Sequence, residues 1–241
     1  RTSTSILRVT VPGSVVSIAV PEAPINDAVG ETADLEGGIA VDPDLNIYLV
    51  DSDSDDLVSC RPGGPCFLLT SEEEFEDAAN VDDVELDEPI LLVGDKLYIA
   101  EDEECMCIFV VDINTGVPEL FLSESQLAAA LNGESPDPEG GLAVDAEGRI
   151  YIGNDDEEVL GSSILRTGPD ANTNQLSLFV TSAEMAALYN PADNPEFDAD
   201  MCIIPVLTSN VPTLSEWGMV VMAGILGIVG FMVIRRRKTT A

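Results

Sequence analysis

Three acidic clusters hold the residues best suited to chemistry. They are Asp51, Asp53, Asp55 and Asp56, then Glu101, Asp102, Glu103 and Glu104, then Asp155, Asp156, Glu157 and Glu158. Crowded carboxylates suit hard cations, and Ca²⁺ takes six to eight oxygens. Asp51, Asp53 and Asp55 alternate as the first ligands of a calcium loop do. Asp56 then stands where that loop needs glycine, and Pro62 where it closes on glutamate. The expected metal set is Asp51, Asp53, Asp55, Asp155 and Asp156, with Ca²⁺ as the possible cofactor. Asp198 and Asp200 form a further pair. The competing expectation is solvation, because the acid excess is spread along the whole domain and keeps a surface protein soluble. The 241 residues include no histidine. Ser–His, Cys–His and His–metal mechanisms are therefore excluded, and no catalytic residue is assigned. A general base would have to be a carboxylate with a raised pKa.

The charge is lopsided. Residues 1–216 hold 6 basic groups against 45 acidic ones, a net of −39. Nucleic-acid binding needs a basic footprint and is excluded. Docking of this part on an anionic leaflet is excluded for the same reason. Apolar residues make up 45% of the chain, enough for a sizeable core.

Five cysteines fit an exported, oxidising location. Cys60 and Cys66 enclose a Pro/Gly turn and are expected to pair as a hairpin staple, stabilising by roughly 2–3 kcal/mol in the chain-entropy picture. Cys105 and Cys107 alternate on an expected strand and would point to opposite faces. The expectation is that they do not pair with each other and that one bonds Cys202. Zinc-type paired spacings are absent.

These residues are positioned by an internal repeat. Glu36-Gly37-Gly38-Ile39-Ala40-Val41-Asp42 returns as Glu139-Gly140-Gly141-Leu142-Ala143-Val144-Asp145, each followed by a turn and an Ile-Tyr strand. A weaker copy begins at Glu88-Pro89-Ile90. The tyrosines fall at 48, 98 and 151. Each unit continues with an acidic cluster, a third strand, a turn, a fourth strand and a short helical stretch with Phe75, Leu127 or Met185. Ser5-Ile6-Leu7-Arg8 repeats Ser163-Ile164-Leu165-Arg166, so the chain opens halfway through a unit. Four short strands per roughly 50 residues is the cadence of a propeller blade. The expectation is an all-β, partial β-propeller with a half blade at 5–34 and blades at 36–80, 87–131 and 138–190, together forming an acidic ectodomain over 1–206. The N-terminus is expected to be incomplete, with upstream blades missing. The rival fold, a pair of Greek-key sandwiches, fits the period less well.

The strand pattern Gly-hydrophobic-Ala-Val-Asp, turn, Ile-Tyr over 36–182 resembles the broad NHL or SMP-30-like class of propellers. That resemblance implies a fold, and a runner-up function: a divalent-metal-dependent, lactonase-like hydrolase with Asn46, Asn154 and Asp155 as candidate channel ligands. A fold alone does not settle activity, and binding rather than catalysis is the leading expectation.

The C-terminal end gives an address. Residues 217–234 are 18 in a row without charge. As a helix they span about 27 Å, against a hydrocarbon core of roughly 30 Å. Arg235, Arg236, Arg237 and Lys238 follow and are expected to stay cytoplasmic, leaving residues 1–216 outside. Ala223 and Gly227 have the small-xxx-small spacing of helix-pairing faces. Before the span runs Val211-Pro212-Thr213-Leu214-Ser215-Glu216-Trp217-Gly218. This order of motif, apolar helix and basic cluster resembles the IPTL-CTERM sorting signal, whose members usually begin with Ile where this chain has Val211. The resemblance implies a Gram-negative bacterial surface protein, anchored by a single pass in the cell envelope. It further implies an exosortase-type membrane transpeptidase as partner, cleaving near the motif. Pro212 keeps Val211 extended, which presents 207–216 as a linker and cleavable segment ahead of the span at 217–234 and the tail at 235–241. The surface ligand is expected to be a sugar, a matrix component or a protein.

Overall fold

A computed structural model describes residues 5–10, 15–35, 37–155 and 162–187, all within the compact unit spanning 1–203. The fold is mostly β. A hairpin of β1 (Ile6–Thr10) and β2 (Val15–Val20) leads into helix α1 (Glu22–Val29). Three four-stranded antiparallel meanders follow. The first comprises β3 (Ile39–Val41), β4 (Ile47–Asp51), β5 (Asp56–Cys60) and β6 (Cys66–Thr70), then α2 (Glu72–Ala79). The second comprises β7 (Ile90–Val93), β8 (Lys96–Glu101), β9 (Cys107–Asp112) and β10 (Pro118–Leu122), then α3 (Glu124–Ala130). The third comprises β11 (Leu142–Val144), β12 (Ile150–Asn154), β13 (Ser163–Gly168) and β14 (Asn172–Val180), then α4 (Ser182–Ala186).

The strand signature folds this way because each aspartate at the end of a first strand organises the turn after it. Asn46 N–H and Nδ2 donate to Asp42 at 2.8 and 2.6 Å, and the Tyr48 hydroxyl donates at 3.2 Å. Asp145 repeats the arrangement, accepting from Arg149 N–H at 3.0 Å, Arg149 Nε at 2.6 Å and the Tyr151 hydroxyl at 2.9 Å. The Ala-Val-Asp…Ile-Tyr repeat is therefore a turn lock. Burial would raise the Asp145 carboxyl, but these donors outweigh it and hold the pKa at about 2.

The fourth strands run into helices that begin with capping boxes. Glu74, Gln126 and Glu184 accept the backbone N–H of Ser71, Ser123 and Thr181 at 3.0, 3.0 and 2.9 Å. The helices bury Ile25, Phe75 and Leu127 between neighbouring sheets. One apolar cluster joins the hairpin to the first meander, a second joins the first meander to the second, and a third joins the second to the third. The described sheets thus stack in succession and do not close into a ring.

The N-terminal hairpin copies the outer half of the third meander. Ile6↔Val20, Leu7↔Ile18 and Arg8↔Ser17 match Ile164↔Val180, Leu165↔Leu178 and Arg166↔Ser177, with the register shift at the same step.

Two disulfides are present among the described residues; Cys202, the expected partner of Cys105 or Cys107, lies outside them. Cys60–Cys66 closes the β5–β6 hairpin with Cα atoms 4.1 Å apart. Cys105–Cys107 is also bonded, across 5.2 Å. This corrects the expectation that these two cysteines face apart. Only Cys107 is in the strand, and Met106 between them is left-handed at φ 45°. The period-two alternation of an extended chain does not apply there, and both sulfurs reach one side. No helix among the described residues is long and apolar enough to cross a membrane; the span expected at 217–234 lies outside them.

Candidate functional site

The acidic residues after the tyrosine strands have mostly structural partners. Asp51, Glu101 and Asn154 end β4, β8 and β12 at equivalent positions, and all three are buried. Asp51 accepts from Asp34 N–H at 2.5 Å and Ser54 Oγ at 2.6 Å. Asn154 accepts from Asp137 N–H at 2.8 Å, the same bond two repeats later. Glu101 accepts from the backbone N–H groups of Glu104, Cys105 and Met106 at 2.7–2.9 Å, wrapping its loop around one carboxylate. Asp55 accepts from Leu86 N–H at 2.6 Å, which ties the first meander to the segment entering the second. Burial is the main reason its pKa stands near 6.

Among the described residues, Asp51, Asp53, Asp55 and Asp155 do not form a group of three or more carboxylates within metal-ligand distance. Asp51 and Asp55 serve different backbone donors, and Asp53 is exposed. Asp155 accepts from Ser162 Oγ at 2.7 Å. Asp156 lies outside the described residues, as do Asp198 and Asp200. The expected channel ligands Asn46 and Asn154 hold different positions in their meanders. Asn46 precedes the second strand of its meander, whereas Asn154 ends the second strand of its own.

Other carboxylates converge instead. Asp87, Glu88 and Asp102 bring one oxygen each within 4.8 Å of one another, and Asp102 does the same with Asp137 and Glu139. Asp87 and Glu88 precede β7, Asp137 and Glu139 precede β11, and Asp102 follows β8. The cluster thus forms where the second and third meanders begin. Burial, then Asp102, Asp87, Glu139 and Asp137, push Glu88 up to about 8. Burial, then Asp87, push Asp102 up to about 7. Asp102 Oδ1 is fully buried and accepts no hydrogen bond among the described residues. Like charges this close ionise reluctantly, so the cluster holds protons near neutrality or takes up a hard cation. It also offers a carboxyl of raised pKa, the requirement for base chemistry without histidine. A sequence signal existed: Glu36, Asp87 and Glu139 occupy one repeat position, three residues before the first-strand residues Ile39, Ile90 and Leu142.

Oxidation of Cys105 and Cys107 removes both as thiolate ligands beside Glu101. Glu72, Glu76 and Asp83 form a smaller acidic group at α2.

Comparison bears on the C-terminal motif. Residues 211–238 match the IPTL-CTERM motif. No curated protein matches the chain. The IPTL-CTERM match takes in Val211, Pro212, Thr213, Leu214, Ser215, Glu216, Trp217 and Gly218, and also Arg235, Arg236, Arg237 and Lys238; all lie outside the described residues. An IPTL-CTERM motif marks a C-terminal sorting signal of an exported surface protein, processed by a membrane-associated enzyme. The match does not extend into the β-rich body, whose NHL or SMP-30-like resemblance has no relative to support it.

Proposed function

We propose that this chain is an exported bacterial surface protein. Its β-rich body is a binding or display module, delivered by the C-terminal signal to the cell envelope. The observation that carries the reading is the IPTL-CTERM match, which joins the proline-containing segment, the charge-free run and the basic end into one signal. In this reading 217–234 spans the membrane once, 235–241 is the cytoplasmic tail, and an exosortase-type transpeptidase cuts near 211–218. The repeats over 1–206 form part of a propeller, with the half blade at 5–34 and blades at 36–80, 87–131 and 138–190. Four-stranded meanders of regular spacing, stacked face to face with a helix between each pair, support that architecture.

The experiment is processing in a host that carries the sorting enzyme. Deleting 211–218, or replacing Pro212→Ala, is expected to leave a full-mass, membrane-bound precursor. Normal maturation of the deletion variant would refute the signal.

A second reading concerns cations. Ca²⁺ bound among Asp87, Glu88, Asp102, Asp137 and Glu139 would relieve their repulsion, and the buried, donor-free Asp102 Oδ1 favours it. The hydrolase alternative would use this same cluster, with Glu88 or Asp102 as base.

A further inference from the structure

The disulfide-stapled hairpin of the first meander breaks the repeat in a way that turn stability does not explain. On the fourth strands, one position is equivalent by its pairing with the third: Ser17, Phe67, Glu119 and Ser177, opposite Arg8, Ser59, Val110 and Arg166. Three of the four are polar. The first meander alone places an aromatic ring there, and Phe67 is 59% exposed. Exposing so much ring is unfavourable without a partner.

Phe67 borders a cavity of about 480 Å³ between the turns of the first and second meanders. The size suits a small-molecule ligand. Arg61 lines the same cavity, with Asp44 and Asn46 from the β3–β4 turn and Asp95 and Asn114 from the second meander. Arg61 and Phe67 each directly follow one cysteine of the Cys60–Cys66 pair, and Gly63 N–H donates to Ala19 O at 2.8 Å at the hairpin tip. The staple therefore fixes both side chains' backbones before any ligand arrives, which limits the entropy lost on binding.

The lining selects a chemical class. Asp44 and Asp95, in a chain of net charge −35, disfavour phosphates, sulfates and uronic acids. The Arg61 guanidinium, in no ion pair among the described residues, offsets part of that charge, and the third aspartate of the lining, Asp42, is already taken up by Asn46 and Tyr48. Asn46 and Asn114 each donate one amide N–H to a neighbouring aspartate, at 2.6 and 3.2 Å, which keeps their carbonyl oxygens as acceptors. The lining thus holds both donors and acceptors beside an aromatic ring. Hydroxyls, which do both, satisfy such a wall, and the C–H face of a pyranose satisfies the ring.

We propose that this cavity binds a neutral oligosaccharide, with Phe67 against a sugar face and Arg61, Asp44 and Asp95 on its hydroxyls. The proposal rests on the reading of residues 1–206 as a binding module and names its ligand class. The test is calorimetric titration of the full 241-residue chain in a zwitterionic detergent free of sugar headgroups. The probes are cellotetraose, maltotetraose and chitotetraose, with an oligogalacturonate and spermine as charged comparators. At least one neutral probe is expected to bind, and Phe67→Ser, which installs the residue found at position 177, to weaken it about tenfold with an unchanged melting temperature. Arg61→Ala is expected to act likewise. Absence of heat from all three neutral probes up to about 10 mM, preference for either charged comparator, or a Phe67→Ser affinity within about twofold of the parent would overturn it. Delivery to the cell surface, scored separately by processing, is untouched by any of these outcomes, so failure here leaves the sorting reading standing.

Discussion

Glu88 and Asp102 carry the largest electrostatic load in the body, and its sign can be worked out. Both carboxyls titrate above their ordinary range, near 8 and 7, because burial first and neighbouring carboxylates second disfavour the charged forms. A group whose folded pKa is raised contributes stability that is complete below its unfolded pKa and is lost as pH rises through the folded value. The loss therefore falls between about pH 4 and pH 8. In a chelator, the melting temperature is expected to drop as pH rises through that window, and Glu88→Gln to flatten the drop and add about 2–4 °C at the alkaline end. Asp87, Asp137 and Glu139 face the same site and add to the repulsion on Glu88. A pH-independent melting temperature would show that these carboxylates do not repel in the folded chain. Millimolar calcium at constant ionic strength separates the remaining possibilities. Recovery of the alkaline loss that disappears in Glu88→Gln supports the cation reading, and an unchanged alkaline melting temperature removes it. Asp145 does not interfere, because a pKa near 2 places its own contribution below this window.

Elements were readable from sequence where their determinants are local. The turn locks at Asp42 and Asp145, the capping boxes at Ser71, Ser123 and Thr181, and the four-strand rhythm are written within a few residues of where they act. The Cys105–Cys107 bond was not readable, since it depends on a left-handed methionine that no local pattern announces. The carboxylate cluster was missed because Asp87 and Glu88 meet Asp102, well separated in sequence, only in the folded second meander, and Asp137 and Glu139 join only when the third meander packs beside it. Asp51 and Asp55, though locally spaced like cation ligands, were drawn off by backbone donors from outside their own loop. The glycine pair at the start of the first meander is legible only in retrospect. A Cβ on Gly38 would overlap the backbone of Pro89 and Ile90, while Gly38 N–H donates to Glu88 O at 3.1 Å. A Cβ on Gly37 would meet Leu86 O at 3.1 Å and Val50 Cβ at 3.2 Å, a tighter fit than usual but one that small shifts relieve. Gly38→Ala is expected to destabilise by about 1–3 kcal/mol in urea unfolding and Gly37→Ala by less. Equal effects would mean that the first and second meanders are not held at the distance described.

At the scale of the whole molecule, composition and address have to be reconciled. A body with 6 basic and 45 acidic groups is joined to a charge-free run of 18 residues and then to four consecutive cations. In membrane insertion the basic residues decide orientation, while Asp and Glu contribute little. On the proposed reading the acidic body is no obstacle to export, and Arg235, Arg236, Arg237 and Lys238 would be the groups that hold the chain the right way round. Replacing all four with serine while keeping 211–218 intact separates topology from recognition. If the tail sets the topology, protease added to intact spheroplasts is expected to digest residues 1–206 in the parent but to leave a substantial fraction protected in the variant. The correctly oriented fraction would still be cut at the IPTL-CTERM motif. Full digestion of the variant would assign orientation to something other than the basic end. A variant that is fully exposed yet never processed would move the cations from the topology signal into the recognition signal.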